Sequence, residues 1–333
     1  MNTSGQQNNT SLLEVRGLSL SFHKQTQAAV DRVSFNIRAG NILGLVGASG
    51  AGKSSIARAI MRLVKVDSGA VLFNGEDILR MNSQQLMATR QRIQLVFQDP
   101  SASLSPRRTV EQTLLEPMKH FVIGDTRFQQ EKIRETLHTV GLDHDVLQRY
   151  PHQFSSGQQQ RIAIARALVT GPDLLIADEA VSSLDVSIQA QILQLIKTLQ
   201  KEHGIAFLFI SHDLAVIRQI GDDIAVMFRG QLLEQSPADL FFSQPAHPYS
   251  KTLLSFAGDV PPLRSPGDTW QLDRGSSKAG RSSNCVFSRH CPEKTPICEQ
   301  EPAIYKIDHK NQPALGLHCV KCHLYDQART HDN

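Results

Sequence analysis

The sequence predicts an α/β fold with a small Cys-rich C-terminal extension, and three observations carry that prediction. As far as about Ala257, short apolar runs alternate with stretches of helical period, the pattern of a sheet flanked by helices. A glycine-rich loop joins one such run to one such helix. All five cysteines lie beyond that region, from Cys285 onward.

Taken in order, "NILGLVG" (41–47), "IQLVF" (93–97), "DLLIAD" (173–178) and "IAFLFIS" (205–211) read as buried strands. "SSIARAIMRLV" (54–64) and "VSIQAQILQLIKTLQKEHG" (186–204) read as helices. In the second, Ile188, Ile192, Leu195, Ile196 and Leu199 recur at three- and four-residue steps and make one apolar face. The region from roughly 100 to 170 is mainly helical and reads as an inserted helical subdomain. Residues 258–284 are rich in Pro, Gly and Ser and read as a linker. The expected organisation is a polar, disordered start over 1–11, a nucleotide-binding domain over 12–257, the linker, and a Cys-rich extension over 285–333. No internal repeat is present, so one nucleotide-binding unit is expected.

Bulk properties narrow the function. The chain has 333 residues, 40 % apolar and 20 % charged, with a net charge of +3. That is an ordinary globular balance, without the basic field that nucleic-acid binding needs. "MNTSGQQNNTS" has neither a basic region nor an apolar core, so it does not read as a signal peptide. No run approaches the roughly 18 apolar residues of a membrane span. The expected compartment is the cytosol, where thiols stay reduced. There the cysteines argue for metal, a cluster or plain burial rather than disulfides.

"GLVGASGAGKSS" places Gly47, Gly50, Gly52, Lys53 and Ser54 in the G-x-x-x-x-G-K-S pattern, after a strand and opening a helix. Glycines let backbone N–H groups turn inward around a phosphate, and the helix N-terminus adds partial positive charge. Lys53 should reach the β- and γ-phosphates, and Ser54 should ligate Mg²⁺. In "LLIADE" a buried strand ends in Asp178 and Glu179. This sets one carboxylate near the metal and one near the attacking water.

Between these motifs stands "FSSGQQQRIAIARALV" (154–169). It resembles the signature of ATP-binding cassette proteins, usually LSGGQ followed by a helix with this Arg/Ala pattern. "VFQDP" places Gln98 as the Q-loop glutamine, "SSLD" (182–185) resembles the D-loop, and "FISHD" places His212 as the switch histidine. These motifs fall in the family's order along residues 44–213. The resemblance implies a RecA-like core with an antiparallel β subdomain and a helical subdomain. It implies ATP and Mg²⁺ as ligands, the metal held through Ser54 and Gln98. Ser49 and Ser55 join the phosphate loop, and Glu179, His212 and Gln98 take the catalytic roles. Phe22 in "LSLSFHK" is the adenine-stacking candidate, with a plain core role as the alternative. Ser155, Ser156, Gly157 and Gln158, with Asp185, would meet the ATP held by an opposite subunit. Two departures matter: Ser156 stands where a glycine is usual, and Gln159 where an arginine is common. The Ser156 side chain is expected to crowd the site that this signature completes.

Three further stretches resemble one branch of the family. They are "FQDPSASLSPRRTV" (97–110), "ADEAVSSLDVSIQAQIL" (177–193) with Ala180 in place of proline, and "PAHPYSKTLLSF" (245–256). The branch comprises importers of oligopeptides, dipeptides and nickel. It implies an ATP-hydrolysing subunit on the cytoplasmic face of the inner membrane. Its partners would be a second ATPase subunit, two membrane permease subunits and a substrate-binding protein, with no nucleic acid. The rival readings are a cassette ATPase in a cytosolic enzyme complex without transport, a nucleic-acid-linked cassette and a non-hydrolysing structural cassette.

The cysteines are spaced Cys285-x₅-Cys291-x₆-Cys298, then twenty residues, then Cys319-x₂-Cys322. Only the last pair has zinc-site spacing. Pro292 directly after Cys291 is a feature of cluster-binding loops. Roughly 50 residues with few aromatics make a poor core, which a metal staple would help. The tail also resembles the family's C-terminal cysteine motif, which in some of these importers holds a [4Fe–4S] cluster. That resemblance assigns Cys285, Cys291, Cys298 and Cys322 as ligands and leaves Cys319 spare. Zinc, and simple burial of the thiols, remain the alternatives.

Overall fold

The structure, a computed structural model, describes residues 11–22, 28–256, 284–308 and 317–326. Its elements run β1 (Ser11–Leu20), β2 (Val30–Arg38), β3 (Ile42–Val46), α1 (Lys53–Ile60), β4 (Ser68–Phe73), β5 (Glu76–Asp77) and α2 (Ser83–Arg92). Next come β6 (Ile93–Val96), α3 (Pro100–Ser103), α4 (Val110–His120), α5 (Thr126–Thr139), α6 (Ser156–Leu168), β7 (Leu174–Asp178) and α7 (Val186–His203). The order closes with β8 (Ala206–Ser211), α8 (Leu214–Ile220), β9 (Asp223–Phe228), β10 (Gln231–Pro237), α9 (Ala238–Ser243), α10 (Pro248–Phe256), β11 (Tyr305–Lys306) and β12 (Cys319–Val320).

The strands expected from apolar runs form where the runs are densest. Every residue of β3 and β8 is buried, as are the first four of β7. The long helix α7 matches its expected span because both ends carry stop signals. Asp185 accepts from the Ile188 N–H at its start, and Gly204 ends it with a left-handed φ of 67°. Ile192, Leu195, Ile196 and Leu199 are buried along it, and each contributes about 1.5–3 kcal/mol of burial. By contrast, α1 stops at Ile60 rather than continuing to Val64. Arg62 takes a left-handed φ of 51°, which breaks the helical path and leaves Leu63 exposed.

The chain divides into two compact units. One takes Asn36–Ile42 and Ala70–Leu208 with the chain before Arg16. Within it β6 and β7 pair in parallel, Ile93 opposite Leu174 and Val96 opposite Ala177, and β7 neighbours the start of β8. Between β6 and β7 lie α3 to α6, the helical stretch expected over roughly 100–170.

The other unit takes Arg16–Phe35, Leu43–Gly69 and the chain from Phe209 on. Here β3 pairs in parallel with β9, and β9 pairs antiparallel with β10. The cysteine-bearing tail extends this sheet. β12 pairs antiparallel with β10, Glu234 opposite Val320 and Gln235 opposite Cys319, and β11 pairs with β12. Packing here is close: a Cβ on Gly44 would stand 2.6 Å from the Ile217 side chain of α8. A separate sheet has the strand order β2-β1-β4-β5.

The expected linker lies outside the described residues apart from Asn284, and so does the start of the chain up to residue 10. Among the described residues no helix is long and apolar enough to cross a membrane.

Candidate functional site

The glycine-rich loop follows the buried strand β3 and feeds α1. Gly47, Gly50 and Gly52 have φ values of 152°, 79° and 103°, so the loop needs backbone that only glycine adopts cheaply. Two of them also lack room for any side chain. A Cβ on Gly47 would lie 2.2 Å from the Met227 carbonyl oxygen, and one on Gly52 would lie 2.2 Å from that of Ala29. Lys53 is buried, and its Nζ donates to the carbonyls of Gly47 at 2.7 Å and Ala48 at 3.0 Å. The ammonium is thus pinned across the loop it serves. Ser54 and Ser55 stand half-buried in the first turn of α1, and Ser49 is exposed at the loop's crown.

A residue that sequence reasoning missed steadies this loop. The Tyr249 hydroxyl in α10 accepts from the Ala48 N–H at 3.3 Å. Its ring packs on Phe228, centroids 4.7 Å apart, and on Phe287, 5.3 Å apart. The segment "PAHPYSK" carries only a family resemblance in the sequence; nothing in its pattern names the loop amide as its target. In the same unit, His212 is exposed just past β8, and Phe22 is half-buried two residues past β1.

In the other unit, Asp178 closes β7 and Glu179 follows with a left-handed φ of 52°. For a non-glycine residue that conformation stores strain, a feature common at functional positions. Ser182 of the "SSLD" turn donates from Oγ to the Glu179 carbonyl at 3.0 Å. Gln98 donates from Nε2 to the same Ser182 Oγ at 3.4 Å. Gln98 therefore meets the Glu179–Ser182 turn, 84 residues further along the sequence.

The "SSGQ" motif is the start of α6, and its chemistry is that of a capping box. Ser155 accepts from the Gln158 N–H at 3.3 Å, while Gln158 Oε1 accepts from the Ser155 N–H at 3.1 Å. A cap of this kind is worth about 1 kcal/mol. It leaves a helix N-terminus, with Ser155 and Ser156 exposed, pointing its positive end outward. Gly157 is fixed by packing, since a Cβ there would sit 2.4 Å from Ile188 Cγ2 of α7. Gln159, standing where arginine is common, donates to the carbonyls of Pro151 and Phe154. Asp185 caps α7 and also accepts from the Ser187 hydroxyl. The Ile188 N–H, and then Ser187, hold its carboxyl below the usual range.

The tail brings four of its five cysteines together. Cys285, Cys291, Cys298 and Cys322 line one cavity of about 470 Å³ with His247 and Glu293; Cys319 is not among its lining residues. Burial pushes the Cys291 thiol up to about 11 and the Cys322 thiol up to about 12, and the neighbouring cysteines add to both shifts. Any group bound through these sulfurs must therefore displace protons. Among the described residues no group of three or more His, Cys, Asp or Glu side chains is arranged to hold a single metal ion. The cavity wall is tied down by buried Glu234 of β10. Its carboxylate accepts from the N–H groups of Ala246 and His247 and meets His318 Nε2 at 3.0 Å. Burial alone would raise the Glu234 carboxyl, but these hydrogen bonds hold it below its ordinary value. Burial pulls the His247 imidazole down to about 4.

Comparison with known proteins identifies the family. The ABC transporter family model matches residues 30–182, and the oligopeptide/dipeptide transporter C-terminal region matches residues 233–298. The putative oligopeptide transport ATP-binding protein YkfD of Bacillus subtilis (strain 168) is 42 % identical over 326 residues, 96 % of this chain and 97 % of that protein. The oligopeptide transport ATP-binding protein AppF of the same organism is 44 % identical over 303 residues, 89 % of each chain. Among solved structures, the dimeric ATP-binding cassette MJ0796 in a post-hydrolysis state, bound to ADP and Pi, superposes with a TM-score of 0.61. It is 27 % identical over 68 % of this chain and 98 % of that one. CbiO1 from Clostridium perfringens, part of the ABC transporter complex cbiONQ, gives a TM-score of 0.65 and 26 % identity over 75 % of this chain and 97 % of its own.

Proposed function

Because the chain belongs to the ATP-binding subunits of ABC transporters, in the oligopeptide/dipeptide branch, we propose that it hydrolyses ATP to energise a peptide importer. The observation that carries this reading is the phosphate loop. Its glycines take backbone that other residues rarely adopt, Gly47 and Gly52 leave no room for a side chain, and its lysine is buried across the turn. Such a loop cradles the phosphates with backbone N–H groups, while Lys53 exchanges the loop carbonyls for the β- and γ-phosphates. Ser49, Gly50 and Ser55 complete the cradle, and Phe22 stacks on the adenine. Mg²⁺ is held through Ser54 and Gln98, with Asp178 beside it.

In the chemical step Glu179 orients the attacking water and His212 holds the γ-phosphate. Gln98 senses the metal site and, through Ser182, the Glu179 turn. Ser155, Ser156, Gly157 and Gln158 meet the ATP of a second ATPase subunit with the capped N-terminus of α6, and Asp185 stands at that contact. The exposed hydroxymethyl group of Ser156 enters this space and crowds it. Two membrane permease subunits and a substrate-binding protein complete the transporter, with this subunit peripheral on the cytoplasmic face of the membrane. The cassette comprises residues 12–257 and the Cys-rich extension 285–333.

The extension also holds a [4Fe–4S] cluster through Cys285, Cys291, Cys298 and Cys322, where it staples the tail to the sheet. Support comes from the four thiols lining one cavity. Bound there, the cluster supplies a one-electron couple and a fourfold covalent cross-link.

Purification of the intact assembly tests the transport reading against the cytosolic alternative. Two membrane subunits should co-purify with this chain from detergent-solubilised membranes. Recovery of the chain only in a complex of cytosolic enzymes would overturn it.

A further inference from the structure

His247 raises a hydrogen-bonding question that the ATPase reading leaves unanswered. The side chain is 1 % exposed and lines the cysteine cavity. Its Nδ1 accepts from the Tyr249 N–H at 2.9 Å, so the ring proton resides on Nε2. That Nε2 has no hydrogen-bond partner. A buried N–H left unpaired is destabilising, and native proteins seldom keep one without a use. The ring is also held firmly. Glu234 accepts from the His247 backbone N–H at 2.7 Å, and the Phe287 ring lies 5.8 Å away, centroid to centroid, in edge geometry.

We propose that His247 donates its Nε2 hydrogen to a sulfur of the thiolate-held cluster in this cavity, and thereby sets the cluster's reduction potential. The inference rests on the iron–sulfur reading above and deepens it. A sulfur-bound cluster is rich in acceptors, and an N–H···S bond strengthens as the cluster gains negative charge. Donation therefore favours the reduced form and raises the potential. His247 binds no iron in this scheme; it acts through the sulfur it meets. The same ring receives the Tyr249 N–H, and the Tyr249 hydroxyl receives the Ala48 N–H of the phosphate loop. The donor therefore sits one residue pair away from the nucleotide cradle.

The test uses full-length protein, purified without oxygen, labelled with ¹⁵N-histidine and reduced with dithionite. Electron–nuclear double resonance should show an exchangeable proton and one histidine ¹⁵N coupled to the cluster. Both should vanish in His247→Phe at unchanged iron and sulfide content. Potentiometric titration should give a lower midpoint for His247→Phe, with His247→Gln, which keeps a donor, nearer the wild type. A loaded wild-type cluster without that coupling, or midpoints equal in all three proteins, would overturn the inference and leave the cluster standing. Colourless wild-type protein without iron would overturn both. Should His247→Phe fail to load, the wild-type spectrum alone decides.

Discussion

Replacing Glu179 with glutamine should lower ATP turnover by roughly two to four orders of magnitude, the usual contribution of a positioned general base. The substitution keeps the side chain's size and its left-handed backbone at φ 52°, so the fold has no reason to change. ATP binding survives, because the phosphate loop is untouched, and ATP-bound dimers should accumulate. Backbone strain and chemistry separate in a second variant. Glu179→Gly removes the conformational penalty, about 1–2 kcal/mol, and should raise thermal stability while abolishing turnover just as fully. Steady-state hydrolysis with size-exclusion chromatography in ATP measures both. Near-normal turnover by Glu179→Gln would remove this residue from the chemical step.

The second large effect lies in the phosphate loop. Gly52 combines a φ of 103° with a backbone oxygen 2.2 Å from where a Cβ would stand. The clash is with main chain and cannot be relieved by a rotamer change. Gly52→Ala must displace either the loop or the Ala29 carbonyl. It should weaken ATP binding by roughly tenfold or more, equivalent to at least about 1.4 kcal/mol. Gly50 is the internal control: its φ is 79°, but nothing lies within 4 Å of its would-be Cβ. Gly50→Ala should therefore show only the conformational cost and a milder loss of affinity. Calorimetric titration with ATP and Mg²⁺ compares them. Equal affinities for the two variants would mean that close approach plays no part in shaping the cradle.

What the sequence made legible follows from the range of each interaction. The phosphate loop, the cap of α6 and the span of α7 are local. Glycine conformations, an S-x-x-Q box and the Asp185 and Gly204 stops each act within a few residues. The end of α1 is not legible, because the apolar pattern continues past Ile60 while the Arg62 backbone leaves the helix. Long-range pairings were not readable. Nothing near Tyr249 signals that its hydroxyl meets the Ala48 amide, 201 residues away in sequence. Nor does "GLHC" reveal that His318 meets buried Glu234, 84 residues earlier. The tail reads as a poor core because it has few aromatics. The structure meets that shortage by inserting Phe287 among Phe228, Tyr249 and His247 and by adding β12 to the edge of β10.

As an ATP-hydrolysing subunit of a peptide ABC importer, this chain couples hydrolysis to import. The most direct measurement is made on the purified assembly in sealed lipid vesicles, with its substrate-binding protein and a defined radiolabelled tripeptide. Mg²⁺-dependent hydrolysis should rise when the loaded binding protein is added, and tripeptide accumulation should stop in Glu179→Gln. Hydrolysis indifferent to the binding protein, with no tripeptide accumulated by the wild type, would contradict that coupling.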